Sequence, residues 1–372
     1  MKSRVARAKR RTEGLPLHGI QVIELAEGVI GPLCSLHLAI FGAEVIKIES
    51  SSGDWLRRIP PIRGDGGALF DATNRNKKGM KIDFHSDEGR QLVHELLLRA
   101  DVVVIDRPLT KRWPDLLYEE VANRNPSIIW AEASSFGDDG PQADQGATEL
   151  TIQMAAGLNR HLGRPDSEAV RAGFDIATLS TAILLFNGVL AALFERNASG
   201  NGQRVAVSML AAMTSMLEWN IASEGNPDEW VGKGLQAYTD EPNYGFILQD
   251  RSAYVDFLGD LGAWDRFLIA VDRAELAADP RFGSPALFIR NLSQLRHELA
   301  DAVRLWHYDD LRRVVVECGG TIVPVTDGAE AVRFADEAQL FRGRSGDLVD
   351  RLCKPWAFSD FDLPASEDFL QR

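Results

Sequence analysis

Cysteine is scarce in this sequence, and Cys34, Cys318 and Cys353 lie far apart. A disulfide-stabilised secreted domain or a zinc site needs cysteines that are more numerous or more closely spaced. Basic residues are outnumbered too, because 41 lysines and arginines face 54 acidic residues and give a net charge of −13. Binding to nucleic acid needs a basic surface, so we expect no nucleic-acid partner. The sequence therefore predicts a protein of a reducing compartment, the cytoplasm.

Several motifs of known chemistry are also missing. The seven histidines show no HExxH or comparable spacing, so no metal site is predicted. Walker-type, GxGxxG and Gly-x-Ser-x-Gly motifs are absent, which disfavours a P-loop enzyme and a serine hydrolase. No uninterrupted apolar run reaches the roughly 18 to 20 residues of a membrane span. The basic residues 1–15 precede no apolar segment, so we predict a disordered, solvated tail there rather than a secretory signal.

The sequence does contain the composition of a globular protein, with 45% hydrophobic and 26% charged residues. Strand-like and helical segments alternate from Leu17 to Ser134, which predicts an α/β fold with a parallel sheet covered by helices. The predicted organisation after the tail is a large domain over 16–224, a linker over 225–250, a smaller α/β domain over 251–337 and a C-terminal segment over 338–372.

Ligands of parallel sheets bind beyond the carboxyl ends of the strands. The segments that follow Ala26, Glu49, Phe84, Asp106 and Ser134 are therefore the predicted site. Charged residues in these segments have two interpretations. His85, Arg107 and Arg112 either contact a ligand or are ordinary exposed loop residues, and the basic loop over 74–78 either holds a phosphate or carboxylate or is a solvated charge cluster.

The stretch from Val170 to Met209 predicts a long apolar helix that ends at the turn Ser199-Gly200-Asn201-Gly202. Asp175 stands at the N-cap position of this helix. A carboxylate at the start of a buried helix is either a catalytic group or simply a cap. The residues alone leave both interpretations open.

Eight blocks of the sequence, taken together and in order, resemble the family III CoA-transferases, also called the CaiB/BaiF family. They extend from Pro16 to about Ser359. The blocks are PLHGIQVIELAEGVIGP, FGAEVIKIES, NRNKKGMKIDFHSDEGRQL, ADVVVIDRP, NPSIIWAEASSFGDDGPQAD, NGVLAALFERNASGNGQRVAVSML, LAADPRF and VPVTDGAEAV.

The resemblance implies a Rossmann-like large domain, to which the C-terminal segment returns, a small domain, and an interlocked dimer. It also implies a reaction in which CoA moves from an acyl-CoA to a carboxylic acid. CoA and acyl-CoA are then substrates, and no permanently bound cofactor is expected. In this family an aspartate attacks the thioester and gives a mixed anhydride. CoA then forms an aspartyl-CoA thioester, which the acceptor carboxylate takes over, so one difficult exchange becomes several easier steps.

The resemblance also implies roles for individual residues. CoA is expected to lie along Gly28, Val29 and Ile30 and then along Ile82, Asp83, Phe84 and His85, with Arg107 and Arg112 near its phosphates and Ser134, Ser135 and Phe136 lining the thioester region. The family's racemase branch uses a histidine near residues 135–139. This chain has only SFGDD there, which disfavours a racemase.

One departure from the family concerns the nucleophile. Ungapped alignment backwards from GVLAALFERNASGNGQ places Thr178 at the position of the family aspartate, and Asp175 precedes it by three residues. Three residues along a helix shift a side chain by roughly 4.5 Å, whereas displacement of about 1 Å can slow a reaction 100-fold. Asp175 would need a rearranged helix start to act, and the threonine hydroxyl has no evident adjacent base. We therefore expect a lost nucleophile.

Three interpretations of the whole chain remain open. The first is a CoA-transferase that is either divergent or the non-nucleophilic subunit of a heteromer, in which a paralogous chain supplies the aspartate. The second is a non-enzymatic CoA-binding or scaffold subunit that stabilises a catalytic paralogue. The third, an unrelated nucleotide-binding α/β protein, requires all eight block matches to be chance.

Overall fold

The structure is a computed structural model that describes residues 14–63, 66–107, 117–162, 168, 170–218, 245–257, 260–284, 287, 291–337, 354–356 and 358–371. The chain divides into two compact units. The first unit comprises Met1–Ala156, Gly173–Met216 and Phe341–Arg372, and the second comprises Gly157–Ala172 and Leu217–Leu340. The predicted tail falls almost wholly outside the described residues, as does most of the predicted linker, and the predicted domain bounds stay a prediction.

Twelve strands occur among the described residues. In chain order they are β1 (Gln21–Leu25), β2 (Glu44–Glu49), β3 (Ile62–Arg63), β4 (Gly66–Gly67), β5 (Lys78–Lys81), β6 (Val102–Asp106), β7 (Ile129–Ser134), β8 (Arg204–Ser208), β9 (Phe246–Ile247), β10 (Ser252–Asp256), β11 (Thr321–Pro324) and β12 (Leu370–Gln371). Seven of them form one parallel sheet in the first unit, in the order β12-β5-β2-β1-β6-β7-β8. The predicted α/β fold with a parallel sheet is confirmed.

The α-helices of the described residues, in chain order, are α1 (Ile30–Ile40), α2 (Ala68–Asn74), α3 (Asp87–Leu97), α4 (Tyr118–Arg124), α5 (Glu149–Ala155), α6 (Ile176–Ser199), α7 (Met209–Met216), α8 (Leu261–Ala270), α9 (Leu292–Val303), α10 (Tyr308–Glu317) and α11 (Gly328–Glu337). One apolar cluster joins the sheet to α1 and α6, and a second joins it to α3 and α4. The sheet is thus buried on both faces, which explains apolar strands such as Val-Val-Val-Ile in β6.

Helix α6 runs along the sheet from one edge of strand ends to the other. Its 24 residues span about 36 Å, and it packs against α1, α7, β7 and β8. Near its end, Arg196 donates hydrogen bonds to the carbonyl of Asp101, directly before β6, and to the carbonyl of Ser127, two residues before β7. The end of α6 therefore lies at the amino edge of the sheet, and its start lies toward the carboxyl edge.

The sequence analysis predicted this long apolar helix, but its expectation that no apolar run reaches the length of a membrane span was wrong. Helix α6 is long and apolar enough to cross a membrane when judged by length and composition, with a mean hydropathy of 2.0. Its polar residues, among them Ser180, Thr181 and Asn187, interrupt the apolar sequence. A count of consecutive apolar residues therefore misses this segment. Half of the apolar window is buried inside the protein, as is normal for a central helix of a globular core.

The second unit has its own sheet and its own core. Strands β9, β10 and β11 form an antiparallel sheet in the order β11-β10-β9. Helices α8, α9 and α10 pack on it around a single apolar cluster. The Asp260 carboxylate caps α8 by accepting a hydrogen bond from Ala263 N. The expected smaller α/β unit is therefore present.

Two details differ from the sequence analysis. One predicted strand was expected to end at Phe84, but β5 comprises Lys78–Lys81, so residues 82–84 already belong to the loop after the strand. The C-terminal segment carried no clear motif, yet β12 adds a parallel strand to β5 at the edge of the large sheet. The interlocked dimer stays a prediction.

Candidate functional site

The turn between β1 and α1 has a conformation that only glycine adopts readily. Gly28 has a φ of +78°, in the left-handed region. A Cβ atom at this position would lie 2.8 Å from Cζ2 of Trp55. Both observations explain why residue 28 is glycine. Because glycine has no side chain, the backbone of the turn can lie close to the Trp55 ring.

Buried charged side chains hold the backbone of this turn. The N–H of Glu27 donates to the Asp106 carboxylate at 2.9 Å, and the N–H of Gly28 donates to both oxygens of Asp54 at 3.1 and 3.2 Å. The carbonyl of Ala26 accepts from Lys47 Nζ at 2.7 Å. Three consecutive residues are thus bound by side chains that come from three other segments of the chain.

The same side chains belong to a larger buried ion-pair network. Lys47 Nζ lies 2.7 Å from Glu24 Oε1 and 2.9 Å from Asp54 Oδ2, and Lys77 Nζ lies 2.8 Å from Glu24 Oε2. Although burial raises the pKa of Glu24, the two ammonium groups outweigh it and lower that pKa to about 2. Burial lowers the pKa of Lys77 to about 8.

The environment of Lys77 corrects the interpretation of the basic loop over residues 74–78. Lys77 is buried and donates to Asn74 Oδ1 at 2.9 Å as well as to Glu24. Lys78 forms an ion pair with Glu44. These two lysines already have carboxylate partners within the chain, so they form neither a phosphate site nor a solvated cluster.

The loop after β5 presents alternating buried and exposed residues. Ile82 and Phe84 are buried, whereas Asp83 and His85 are exposed. The N–H of Ile82 donates to the Glu49 carbonyl at 2.9 Å and continues the alignment with β2, and the N–H of His85 donates to Asp83 Oδ1 at 3.0 Å. Asp83 and His85 are therefore the members of this predicted segment that solvent or a ligand reaches most readily.

Arg107, directly after β6, lies among carboxylates. Its guanidinium donates to the Gly137 carbonyl and to Asp138 Oδ1 at 3.0 Å, and it lies 3.9 Å from Glu132 Oε1. Arg204 bonds the same two carboxylates, and its hydrogen bond is the main reason why the pKa of Asp138 is below its usual value. Arg107 would have to exchange part of this network to bind a phosphate. Arg112 lies outside the described residues.

The residues after β7 are ordered by hydrogen bonds. Ser134 Oγ accepts from Gly137 N at 3.1 Å, and Ser135 Oγ accepts from Ala147 N at 3.0 Å. Phe136 is half-buried. Ser134 also lines a cavity of about 320 Å³, together with Gly137, Asp138, Leu184, Ala206, Val207, Ser208, Ala211 and Ala212. This cavity lies at the carboxyl ends of β7 and β8, where parallel sheets bind ligands.

The start of α6 is held by a carboxylate from another segment. Glu149 Oε1 accepts from Ala177 N at 2.9 Å and Oε2 accepts from Thr178 N at 2.8 Å. Asp175 occupies the N-cap position but is exposed, and its side chain makes no capping hydrogen bond. A carboxylate at a helix N-terminus is stabilised by the free N–H groups and by the helix dipole. Glu149, and not Asp175, therefore caps this helix.

Glu149 also changes the expected chemistry of Thr178. Partial burial raises the pKa of Glu149, but hydrogen bonds from Gln153 and from the Thr178 side chain are among those that hold it below its usual value. The expectation that Thr178 has no adjacent basic group was wrong, because this carboxylate contacts its hydroxyl. A carboxylate of low pKa is nevertheless a weak base for an alcohol.

The topology brings most predicted residues to one edge of the sheet. β5, β2, β1, β6 and β7 are consecutive neighbours in the sheet, so the segments after β5, β1, β6 and β7 share its carboxyl edge. A chain of contacts connects this edge with α6, because Ser135 binds Ala147, Glu149 follows two residues later, and Glu149 binds Thr178. Sequence reasoning missed Glu149, although a threonine followed directly by a glutamate, as at Thr148 and Glu149, is a signal of a helix start.

Comparison with known proteins assigns the chain to a family. The model of CoA-transferase family III matches residues 17–357. This chain belongs to CoA-transferase family III. The resemblance of the eight sequence blocks is thereby confirmed.

Individual relatives of this CoA-transferase family III chain agree. It is 32% identical over 297 residues to the succinyl-CoA:mesaconate CoA-transferase of Haloarcula hispanica, covering 77% of this chain and 74% of the relative. It is 29% identical over 349 residues to the succinate–glutarate CoA-transferase of Agrobacterium fabrum, covering 90% and 85%. A solved CaiB/BaiF family structure from Brucella suis shares 27% identity with a TM-score of 0.77 and 96% coverage of both chains.

Metal chemistry finds no support in the part of the chain that the structure describes. No group of three or more histidine, cysteine, aspartate or glutamate side chains is placed there to hold a metal ion. Cys34 is buried, and burial raises the pKa of its thiol far above the usual range, so this thiol is not a nucleophile.

Proposed function

We propose that this chain binds CoA thioesters at the carboxyl edge of its parallel sheet and takes part in CoA transfer between an acyl-CoA and a carboxylic acid. The single observation that carries the proposal is the match to CoA-transferase family III over residues 17–357. The relatives described above are named for that transfer between carboxylic acids. The chain works in the cytoplasm, with no nucleic-acid or membrane partner.

CoA lies along the β1–α1 turn at Gly28, Val29 and Ile30 and then along the loop over 82–85. The turn supports this placement because its backbone is fixed before any ligand arrives. The loop supports it because Asp83 and His85 are exposed at the same edge of the sheet. Arg107 turns toward a phosphate by exchanging its contact with Asp138.

The chain alone lacks the group that carries CoA. In the covalent mechanism, the enzyme's carboxylate attacks the thioester, releases the CoA thiolate and forms a mixed anhydride. The thiolate then attacks the enzyme's acyl carbon, forms an enzyme thioester and releases the donor as its carboxylate. Threonine has no carboxyl carbon, so Thr178 can be acylated at most and can never hold CoA. Asp175 lies three residues upstream, on an exposed part of the chain. We infer that the missing aspartate is supplied by a paralogous chain in a hetero-oligomer.

The experiment measures CoA exchange by the purified chain, with succinyl-CoA as donor and a panel of mono- and dicarboxylic acids as acceptors. We expect little or no exchange from the chain alone. Thr178→Asp restores a carboxylate in the first turn of α6, where the helix dipole favours it. We expect this variant to raise the exchange rate about 100-fold, in line with the usual effect of placing a reacting group correctly.

Two results would contradict this reading. Rapid exchange by the unmodified chain that is abolished by Asp175→Ala would make Asp175 the nucleophile. No exchange by Thr178→Asp, alone or with any co-purified paralogue, would argue against a lost nucleophile. The matched control is Thr151→Asp, in α5, which adds the same charge outside α6.

A second function, a non-catalytic CoA-binding or scaffold subunit, is favoured by one observation. The Thr178 hydroxyl is already bonded to Glu149, and the α6 N–H groups at residues 177 and 178 are occupied by the same carboxylate. Native mass measurement of the protein from its own host separates the two functions. A 1:1 complex with a paralogue that exchanges CoA only when both chains are present supports the two-subunit enzyme. A complex in which the paralogue is equally active alone supports the scaffold.

A further inference from the structure

We propose that Asp54 is a positioning residue for CoA: its buried carboxylate fixes the N–H of Gly28, and thereby the shape of the β1–α1 turn on which CoA lies. The inference rests on the proposed function for the location of CoA. It assigns a role to one residue of the predicted segment after Glu49, and this residue acts through the backbone rather than by touching the ligand.

The Asp54 carboxylate accepts hydrogen bonds from three donors on different segments of the chain. Oδ1 accepts from Gly28 N at 3.1 Å and from Leu56 N at 2.9 Å, and Oδ2 accepts from Lys47 Nζ at 2.9 Å. Asp54 and Lys47 are completely buried. Every contact is a donor that points at the carboxylate, so an ionised group with two acceptor oxygens fits the position and an amide does not.

Lys47 links this contact to the strand that precedes the turn. Its ammonium group has three hydrogen atoms and three acceptors, namely Glu24 Oε1, Ala26 O and Asp54 Oδ2, all within 2.9 Å. Glu24 lies in β1 and Ala26 follows it directly. The position of Asp54 relative to the end of β1 is thus fixed by one side chain from β2, and the turn between Ala26 and Gly28 is bound at both ends.

The free-energy cost of burying charged groups indicates that this network fixes the shape of the turn rather than stabilising the fold. Removing ions from water costs several kcal/mol each, and apolar side chains of similar volume often stabilise a core equally well or better. The sheet around the network is in fact apolar, as in β6. Four fully buried charged residues, Glu24, Lys47, Asp54 and Lys77, meet beneath this turn, and Asp54 and Lys47 bind its Gly28 N–H and its Ala26 carbonyl. A turn fixed in advance loses less entropy when a ligand binds, which raises affinity.

The experiment measures CoA binding to the full-length protein by titration calorimetry. We expect Asp54→Asn to weaken CoA binding about 10-fold to 100-fold, the usual effect of losing a hydrogen bond to a charged group. The amide nitrogen would face either Gly28 N–H or the Lys47 ammonium, and both are donors. Glu44→Gln removes an exposed carboxylate from the same sheet and is expected to leave CoA affinity unchanged.

A second control separates positioning from general stability. Val121 is fully buried in α4, far along the chain from the turn, and Val121→Ala lowers stability by creating a cavity. We expect this variant to bind CoA as tightly as the unmodified protein does. Weakened binding in Val121→Ala to the same degree as in Asp54→Asn would overturn the inference, because general destabilisation would then explain both.

A measurement on the unmodified protein decides the matter even when Asp54→Asn does not fold. Hydrogen exchange of a peptide spanning residues 26–33 is followed without CoA, and the Gly28 amide is expected to be protected already. Exchange there as fast as in an unstructured peptide would overturn the inference. CoA binding that Asp54→Asn leaves unchanged would also overturn it, while the proposed function survives. Failure of the unmodified protein to bind CoA at all would overturn the proposed function and this inference with it.

Discussion

The β1–α1 turn and the start of α6 differ in whether they contain the chemical groups that their proposed roles require. At the turn, the Gly28 N–H donates to Asp54, and Lys47 donates to the Ala26 carbonyl and to Asp54, at 2.7 to 3.2 Å. At the start of α6, Thr178 stands at the position where we propose that the family nucleophile is missing, and the carboxylate that accepts from its N–H comes from α5. Under the proposed function, the turn has the groups that it needs to position CoA, whereas the start of α6 keeps its shape without the reactive carboxylate. Binding and bond exchange can therefore be altered separately in this fold.

The largest expected effect concerns the buried ion-pair network at the β1–α1 turn. Lys47→Met leaves the carboxylates of Glu24 and Asp54 without their shared cation in a site closed to water. Breaking a buried pair by removing one partner commonly costs about 3–5 kcal/mol, so we expect a loss of that size in the free energy of unfolding. Urea denaturation measures it. Lys78→Met removes a partly exposed lysine from the same sheet and should cost under about 1 kcal/mol; similar losses in both variants would show that the network is ordinary surface charge.

A smaller effect tests the capping of α6. Glu149→Gln keeps one acceptor oxygen but loses the second and the charge that faces the helix dipole. Loss of a cap costs roughly 0.5–2 kcal/mol, and we expect the free energy of unfolding to fall by about 1 kcal/mol. The comparison variant is Glu120→Gln, an exposed carboxylate in the first turn of α4, with an expected change of a few tenths of a kcal/mol. Equal changes would mean that Glu149 acts only as a surface charge.

The smallest expected effect is a change in pH dependence at the turn. Burial raises the pKa of Asp106 to about 7, against the lowering effects of the Glu27 N–H and Lys47, and Glu24 and Asp54 add to the rise. The folded protein thus binds this proton more tightly than the unfolded chain does. Stability from the group is complete below the unfolded pKa near 4 and is lost as pH rises through about 7. Asp106→Asn keeps an oxygen for Glu27 N–H and removes the titration.

We therefore expect the melting temperature of Asp106→Asn to fall less between pH 5 and pH 8 than that of the unmodified protein. The Glu24 carboxylate acts in the opposite sense, because its pKa is lowered to about 2. Its contribution is present above about pH 4.5 and is lost toward pH 2, outside the window of the comparison. Parallel melting curves from pH 5 to pH 8 would contradict the assignment of this titration to Asp106.

Local patterns in the sequence predicted a large part of the fold. A serine directly before a helical segment is a local capping signal, and Ser86 Oγ does accept from Gly89 N at 3.0 Å at the start of α3. The turn at Gly200 was expected to end the central helix, and α6 ends at Ser199. These features depend on residues within one or two turns of each other, so their causes lie within a short stretch of sequence.

The parts that sequence reasoning missed depend on contacts between distant residues. Lys77 reads as part of a basic loop, but its partner Glu24 lies 53 residues away. Asp175 stands at the expected N-cap of α6, yet the cap comes from Glu149, 29 residues before Thr178. A single sequence shows which residues are charged. It does not show which of them meet after the sheet has formed, so neither the buried network nor this cap was predictable.

The cap by Glu149 has a consequence for how such a chain can change during evolution. Glu149 takes up the main-chain amides of residues 177 and 178, and every amino acid except proline supplies such an amide. Exchange of the side chain at position 178 therefore leaves the helix anchored and the protein folded. Duplicated genes can lose the reactive carboxylate in one copy without a penalty in folding, and the surviving scaffold is then available to specialise beside its active sibling.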